Sequence, residues 1–227
     1  MKHHPTEILW MRCLSIDSQF CEAVVRMSYL THEQMINAAC RYRLGASRQG
    51  GVIFWQIDQE GRVRDGKVMY YMSDCHRYKS KEHRPTWIST FLQRRDPFPH
   101  APHETTHCFF GLHLIGEREG DVAIVEAEKT AVILSELYPQ YIWLAAGGLG
   151  EVQVDKFRPL RGRKVILFPD TDPDGTAYCR WYQAAEEVMR SVFWEDSPPI
   201  RVSPLLELHA TPSQKSRKID LIDYLFK

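Results

Sequence analysis

Short apolar runs alternate with helix-patterned segments through the second half of this chain. Val122-Ala-Ile-Val125 is a run of buried-strand character that ends on Glu126. Ala127–Leu137 then repeats its apolar side chains at helical spacing, and Tyr141–Ala146 is a second strand candidate closed by Gly147-Gly148. A third run, Val165–Phe168, leads into Pro169-Asp170-Thr-Asp172-Pro-Asp174-Gly175. After Gly175, the residues Tyr178, Trp181, Ala185, Val188, Met189 and Val192 form a stripe at helical spacing, which marks a core face. Arg201–Leu208 is expected to be a fourth strand at the sheet edge, because Pro204 lacks the N–H that a central strand needs. Such alternation predicts parallel strands joined by crossover helices.

The first half carries a different pattern. Ser18–Met27 and Thr31–Arg41 read as two short helices, with Thr31 and Gln34 spaced for a capping box at the second. Residues 50–72 predict a mixed sheet, and Lys79–Thr106, with Pro85, Pro97, Pro99 and Pro102, predicts a long connection. The chain is therefore expected to divide into residues 1–115 and 116–227.

The strand ends carry the candidate chemistry. In parallel sheets ligands bind at the carboxyl ends of the strands, and Glu126, Gly147-Gly148, Asp170, Asp172 and Asp174 all fall there. Carboxylates at that edge can converge on Mg²⁺ or Mn²⁺, which take oxygen ligands and complete their shell with water and phosphate. Two other readings of the acidic run fit less well. An EF-hand loop opening at Asp170 would need a Glu at its twelfth position, where Trp181 stands. Phosphatases with a nucleophilic Asp in an Asp-x-Asp motif place it on the first strand of the fold, and here two apolar runs come before it.

The order strand-Glu126, strand-Gly147-Gly148, strand-Asp170-x-Asp172 resembles the Toprim domain of primases, topoisomerases and some nucleases. Gly51–Arg64 resembles the segment that opens the catalytic core of bacterial-type primases, and Cys108-Phe-Phe-Gly-Leu-His-Leu114 the connector into their Toprim part. Lys218-Ile-Asp-Leu-Ile-Asp-Tyr-Leu225 is similar to the acidic segment closing many such domains, so the likeness runs from about residue 45 to 227. It is nearer to Toprim proteins of plasmids and mobile elements than to a housekeeping primase. The resemblance implies an α/β fold: a Toprim-like parallel four-stranded sheet with helices on both faces, preceded by a smaller mixed α+β subdomain. It further implies that Glu126 works in acid/base catalysis and that Asp170 and Asp172, with Glu126 and Asp174 near them, hold Mg²⁺ or Mn²⁺. Lys67 and Lys129 would face phosphates. Two departures stand out: Thr130 occupies a position usually held by an acid, and Ala127 one usually held by glycine.

Primases of this type also carry a zinc ribbon, and none is visible. The six cysteines form no Cys-x-x-Cys pair, so no zinc is expected; Cys75-His76 and His103-x-x-x-His107-Cys108 come nearest to such a site. Scattered cysteines without a signal peptide fit a reducing cytoplasm. No apolar run approaches the roughly 18 residues of a membrane helix, so no membrane partner is expected. At 227 residues and 44% hydrophobic, the chain suffices for one large core or two smaller ones.

A net charge of zero gives no global pull toward nucleic acid. The distribution is uneven, however: Arg62, Arg64, Lys67, Arg77, Lys79, Lys81 and Arg84 lie close together in sequence, interleaved with Tyr70, Tyr71, Tyr78 and Trp87. Such a stretch can meet phosphates and stack on bases. An ordinary solvated hairpin would carry the same residues. The expected partners are nucleic acid, single-stranded DNA first, and nucleotides, with a helicase or replication protein implied by the primase likeness. Three functions follow from these features: a primase-like nucleotidyl transferase of a mobile element or plasmid, a Toprim nuclease or nickase, and a noncatalytic nucleic-acid-binding accessory protein.

Overall fold

Four antiparallel strands organise the first half in the computed structural model, which describes residues 15–95, 107–194 and 197–226. They are β1 (Gly45–Ala46), β2 (Val52–Ile57), β3 (Val63–Met69) and β4 (Thr86–Trp87), in the order β1-β2-β3-β4. All six residues of β2 are buried, which explains why five of them are apolar, and the sixth, Gln56, accepts the Cys108 N–H at 3.2 Å. Trp55 of β2 pairs with Gly66 of β3, where a Cβ would lie 2.7 Å from the indole ring. The indole, Ile53, Ile57, Val63 and Val68 form the core here, with Ile88 packed against them. The helix Gln19–Arg26 is capped by Ser18, and His32–Arg41 carries the complete Thr31–Gln34 capping box. Phe20 of the first helix packs its ring against Phe54 and Tyr71 at 5.5 and 5.0 Å between centroids. The chain separates into two compact units, Met1–Gly116 and Glu117–Lys227. Much of the proline-rich connection, with Pro97, Pro99, Pro102 and His103, lies outside the described residues, as does Cys13.

The second unit is an α/β fold. Its strands are β5 (Asp121–Val125), β6 (Tyr141–Ala145), β7 (Val165–Phe168) and β8 (Arg201–Val202), in the order β6-β5-β7-β8 with every pair parallel. The helix Glu128–Leu137 follows β5 and is buried from Glu128 through Ser135. Thr176–Val188 follows β7 and continues into a wider turn over Met189–Phe193. The expected strand Arg201–Leu208 requires correction, because β8 is only two residues long and Leu205–His209 is helical. Ser203 N–H makes the last ladder bond, to Leu167 O at 2.8 Å. Pro204 has no N–H to continue the ladder and becomes the N-cap of the helix. Among the described residues no helix is long and apolar enough to cross a membrane.

Candidate metal and phosphate site

Parallel pairing brings the carboxyl ends of β6, β5 and β7 to one edge. Glu126 follows β5 directly. The amides of Ala146 and Gly147 donate to Val125 O and Glu126 O, both at 2.9 Å, and fasten the end of β6 beside Glu126. Gly147 and Gly148 take φ of +92° and +154°, the region that side chains disfavour. Beyond β7, Asp170, Asp172 and Asp174 line a cavity of about 440 Å³ together with Glu126. Thr171 and Lys218 line it as well.

The two aspartates of the Asp-x-Asp motif are tuned in opposite directions. Asp172 accepts backbone N–H bonds from Asp174 and Thr176 on Oδ1 and from Ala177 on Oδ2, at 3.0, 3.1 and 2.7 Å. Burial acts to raise its carboxyl, but those amides and the charge of Lys218 hold it below the usual range. It thus caps the helix that starts at Thr176. A carboxylate has about four acceptor directions, so one is left for a ligand. Asp170 is pushed well above the usual range by burial and then by the charges of Asp220 and Glu126, against the pull of Lys129.

Asp220 is the buried acid beside Asp170 that the candidate set left out. It caps the helix Leu221–Leu225 and accepts from Thr130 Oγ1 at 2.9 Å, while Lys129 Nζ lies 3.0 Å from its Oδ2. Burial acts to raise the Asp220 carboxyl, and Lys129, the Asp223 amide and Thr130 together lower it. Thr130, where an acid is usual, therefore serves to hold an acid that comes from elsewhere in the chain. Two signals were available: the likeness of Lys218–Leu225 to the acidic segment closing Toprim domains, and the Asp-x-x-Asp spacing of Asp220 and Asp223, which forms a capping box. The placement of Lys129 at phosphate needs correction: it is 8% exposed and its charge is held by Asp220.

Several basic candidates of the first unit also need revision. Arg64 lies 2.6 Å from Asp58, and both side chains are 3% exposed, so Arg64 is a structural cation and not a phosphate contact. Arg62 is 40% exposed but pairs with Asp58 and Glu60 across the β2–β3 turn. Burial would raise Asp58, yet the Arg62 amide and side chain and both guanidinium charges bring it below the usual range. Lys67 is half-buried in β3, and Lys79 is exposed, as are Arg77, Lys81 and Arg84. Tyr70 and Tyr71 are buried, and Trp87 stacks on His107 at 4.0 Å. Tyr78, 40% exposed and packed on His83, is the aromatic residue left with its surface open.

Among the described residues no three His, Cys, Asp or Glu side chains stand close enough to hold a metal ion by themselves. The cavity nonetheless fits a divalent cation that keeps much of its shell as water or phosphate oxygen. Asp170 lies in this cavity with Glu126, Asp172 and Asp174, and its carboxyl is raised by burial first and then by the charges of Asp220 and Glu126, which a cation would offset.

Residues 18–171 match the model of a protein family described as a domain of unknown function, DUF6371. The chain belongs to this family. No curated protein matches it in sequence. Among solved structures, the DUF6371 chain is similar to the DnaG catalytic core at a TM-score of 0.54 and 16% identity, over 86% of this chain and 68% of that one. A DnaG primase catalytic domain bound to single-stranded DNA gives a TM-score of 0.52 and 15% identity, over 89% and 73% of the two chains. The primase fragment of the bacteriophage T7 primase-helicase protein gives 0.44 at 16% identity, over 74% of this chain and only 60% of that one. The fold is therefore that of primase catalytic cores, with the parallel sheet that the Toprim likeness implied.

Proposed function

We propose that this protein is a Mg²⁺- or Mn²⁺-dependent nucleotidyl transferase acting on nucleic acid, related to the primases of plasmids and mobile elements. One observation carries the reading: Glu126, Asp170, Asp172 and Asp174 line one cavity at the carboxyl edge of adjacent parallel strands. Asp170 and Asp172 would hold the cation, which would neutralise charge developing on phosphate oxygens. Glu126 takes the proton of the attacking hydroxyl. Asp172 is fixed by three backbone amides, so its position is set before a ligand arrives. Lys129 and Thr130 position Asp220, whose charge adds to burial in raising the Asp170 carboxyl; a cation held there would favour its ionised form. Single-stranded DNA and nucleotides are the expected ligands, with the exposed group Arg77, Tyr78, Lys79, Lys81 and Arg84 offering phosphate contacts and a stacking face. A helicase or replication protein is the expected partner.

The test is primer synthesis on single-stranded DNA with Mg²⁺ or Mn²⁺, comparing wild type with Glu126→Gln. Loss of a positioned base lowers the rate about 10²- to 10⁴-fold while Mn²⁺ binding and the fold are kept. Nicking in place of synthesis would favour the nuclease reading of the same carboxylates. A wild-type protein that binds oligonucleotide but neither polymerises nor cleaves, and whose Glu126→Gln variant binds equally well, would make this an accessory protein.

A further inference from the structure

Two lining groups of the cavity, the Lys218 ammonium and the Thr171 hydroxyl, have no part in the proposed metal chemistry. Lys129, Lys156 and Lys215 of this unit each close an ion pair with a carboxylate. Lys218 lines the cavity among the acids and joins none of the ion pairs of the described residues. Its place is set by the backbone. Lys218 is the left-handed C-cap of the helix Pro212–Arg217, and its N–H donates to Lys215 O at 3.0 Å. The next carbonyl, Ile219 O, accepts the Thr171 N–H at 3.2 Å, which ties this segment to the loop carrying Asp170 and Asp172. Thr171 provides a separate indication. It is 2% exposed, it lines the cavity, and its Oγ1 has no hydrogen-bond partner among the described residues. Buried hydroxyls seldom go unpaired, and a ligand oxygen at this place would satisfy it.

We propose that the Lys218 ammonium and the Thr171 hydroxyl form a phosphate seat, each donating a hydrogen bond to oxygens of a phosphate group brought to the carboxylate edge. This rests on the metal-dependent reading of the same cavity. Four carboxylates would repel an anion that came alone, whereas a phosphate paired with a divalent cation is attracted by both kinds of group present. The phosphate belongs either to a nucleoside triphosphate or to a nucleic-acid backbone.

The experiment uses the full chain and measures Mn²⁺ binding by electron paramagnetic resonance, then the binding of ATP and of a short oligothymidylate, each with Mn²⁺ present. Lys218→Gln is expected to weaken the phosphate probe about tenfold, and Thr171→Val several-fold, as for loss of a charge-assisted and a neutral hydrogen bond. Mn²⁺ alone should bind Lys218→Gln as tightly as wild type or about twofold tighter, because a repelling charge is gone. Lys218→Arg should retain phosphate binding. A response confined to ATP makes this a nucleotide seat, and one confined to the oligonucleotide a backbone seat; either supports the proposal. Unchanged binding of both probes in Lys218→Gln and Thr171→Val overturns it, as does loss of Mn²⁺ binding in Lys218→Gln or a wild type that binds Mn²⁺ but neither probe. A wild type that binds no Mn²⁺ brings down the metal-dependent function itself, and this seat with it.

Discussion

In the antiparallel unit the buried charges are closed into complementary groups. Arg64 meets Asp58 at 2.6 Å with both side chains 3% exposed. Asp65 accepts from the amides of Gly66 and Ser89, from Ser89 Oγ at 2.6 Å and from the His107 ring. Burial acts to raise the Asp65 carboxyl, but His107, Ser89 and the two amides bring it below the usual range. In the parallel unit Asp170 has the reverse surroundings, with the charges of Asp220 and Glu126 acting against its ionisation. A buried acid among donors stabilises a fold, while a buried acid beside other acids is costly until a cation arrives. Perturbation of the second kind, in a cavity, is where function concentrates.

The largest effect should come from the acid that lacks compensation. Asp170→Asn is expected to lower Mn²⁺ affinity at least about a hundredfold, more than loss of an outer partner of a ligand usually does. The same change should raise stability by about 1 kcal/mol in metal-free buffer, because it removes a carboxyl whose ionisation burial and then the charges of Asp220 and Glu126 oppose. Titration calorimetry and thermal melts check the two signs, and a variant that binds Mn²⁺ as wild type does would dissolve the contrast between the units.

The converse change is Arg64→Met. It strands Asp58 without its buried partner and should cost about 3 kcal/mol in urea unfolding, while Mn²⁺ affinity stays the same. A cost near zero would show that Arg62 alone satisfies Asp58. Next in size is Gly66→Ala, whose Cβ would stand 2.7 Å from Trp55 and 2.9 Å from Ile88. Overpacking of that kind costs about 2 kcal/mol, and a drop in the denaturation midpoint would report it.

The smallest effect, in pH dependence, sharpens the comparison most. Asp65 has a folded-state pKa below the ordinary 3.8, so its contribution is present above about pH 4 and is lost as pH falls through the lowered value. Asp170 is raised, so its native form binds more protons than the unfolded chain, and stability falls as pH rises from about 4 toward its raised value. Denaturation midpoints between pH 3 and 7 should show Asp65→Asn flattening the acid-side slope and Asp170→Asn flattening the later decline. Slopes of the same sign for both variants would contradict the assignment.

Much of the parallel unit was legible because its signals are local. The run Val122–Val125 ending in Glu126, the Gly147-Gly148 turn and the acids after Phe168 each place a residue at a strand end, and parallel pairing then collects them. Pro204 was read as the mark of an edge strand over Arg201–Leu208; β8 does lie at the edge, yet it ends at Val202 and Pro204 starts a helix. Arg64 was taken as a phosphate contact because it stands in a stretch rich in basic and aromatic residues, whereas β3 is buried on both faces and Arg64 pairs with Asp58.

The sequence by itself determined most elements of the parallel unit, their order and the strand ends at which carboxylates appear, since periodicity and turn chemistry act over a few residues; Leu205–His209, a helix where strand was expected, is the exception. Only the tertiary structure decided which charges are partnered. Thr130 and Asp220 are 90 positions apart and meet at 2.9 Å. Lys129, three residues from Glu126, is claimed by that same Asp220, while Lys218, far along the chain, lines the cavity. Coulombic and hydrogen-bond partnership depends on distance in space and on the water excluded between groups, and neither quantity is written in the spacing of residues along a chain.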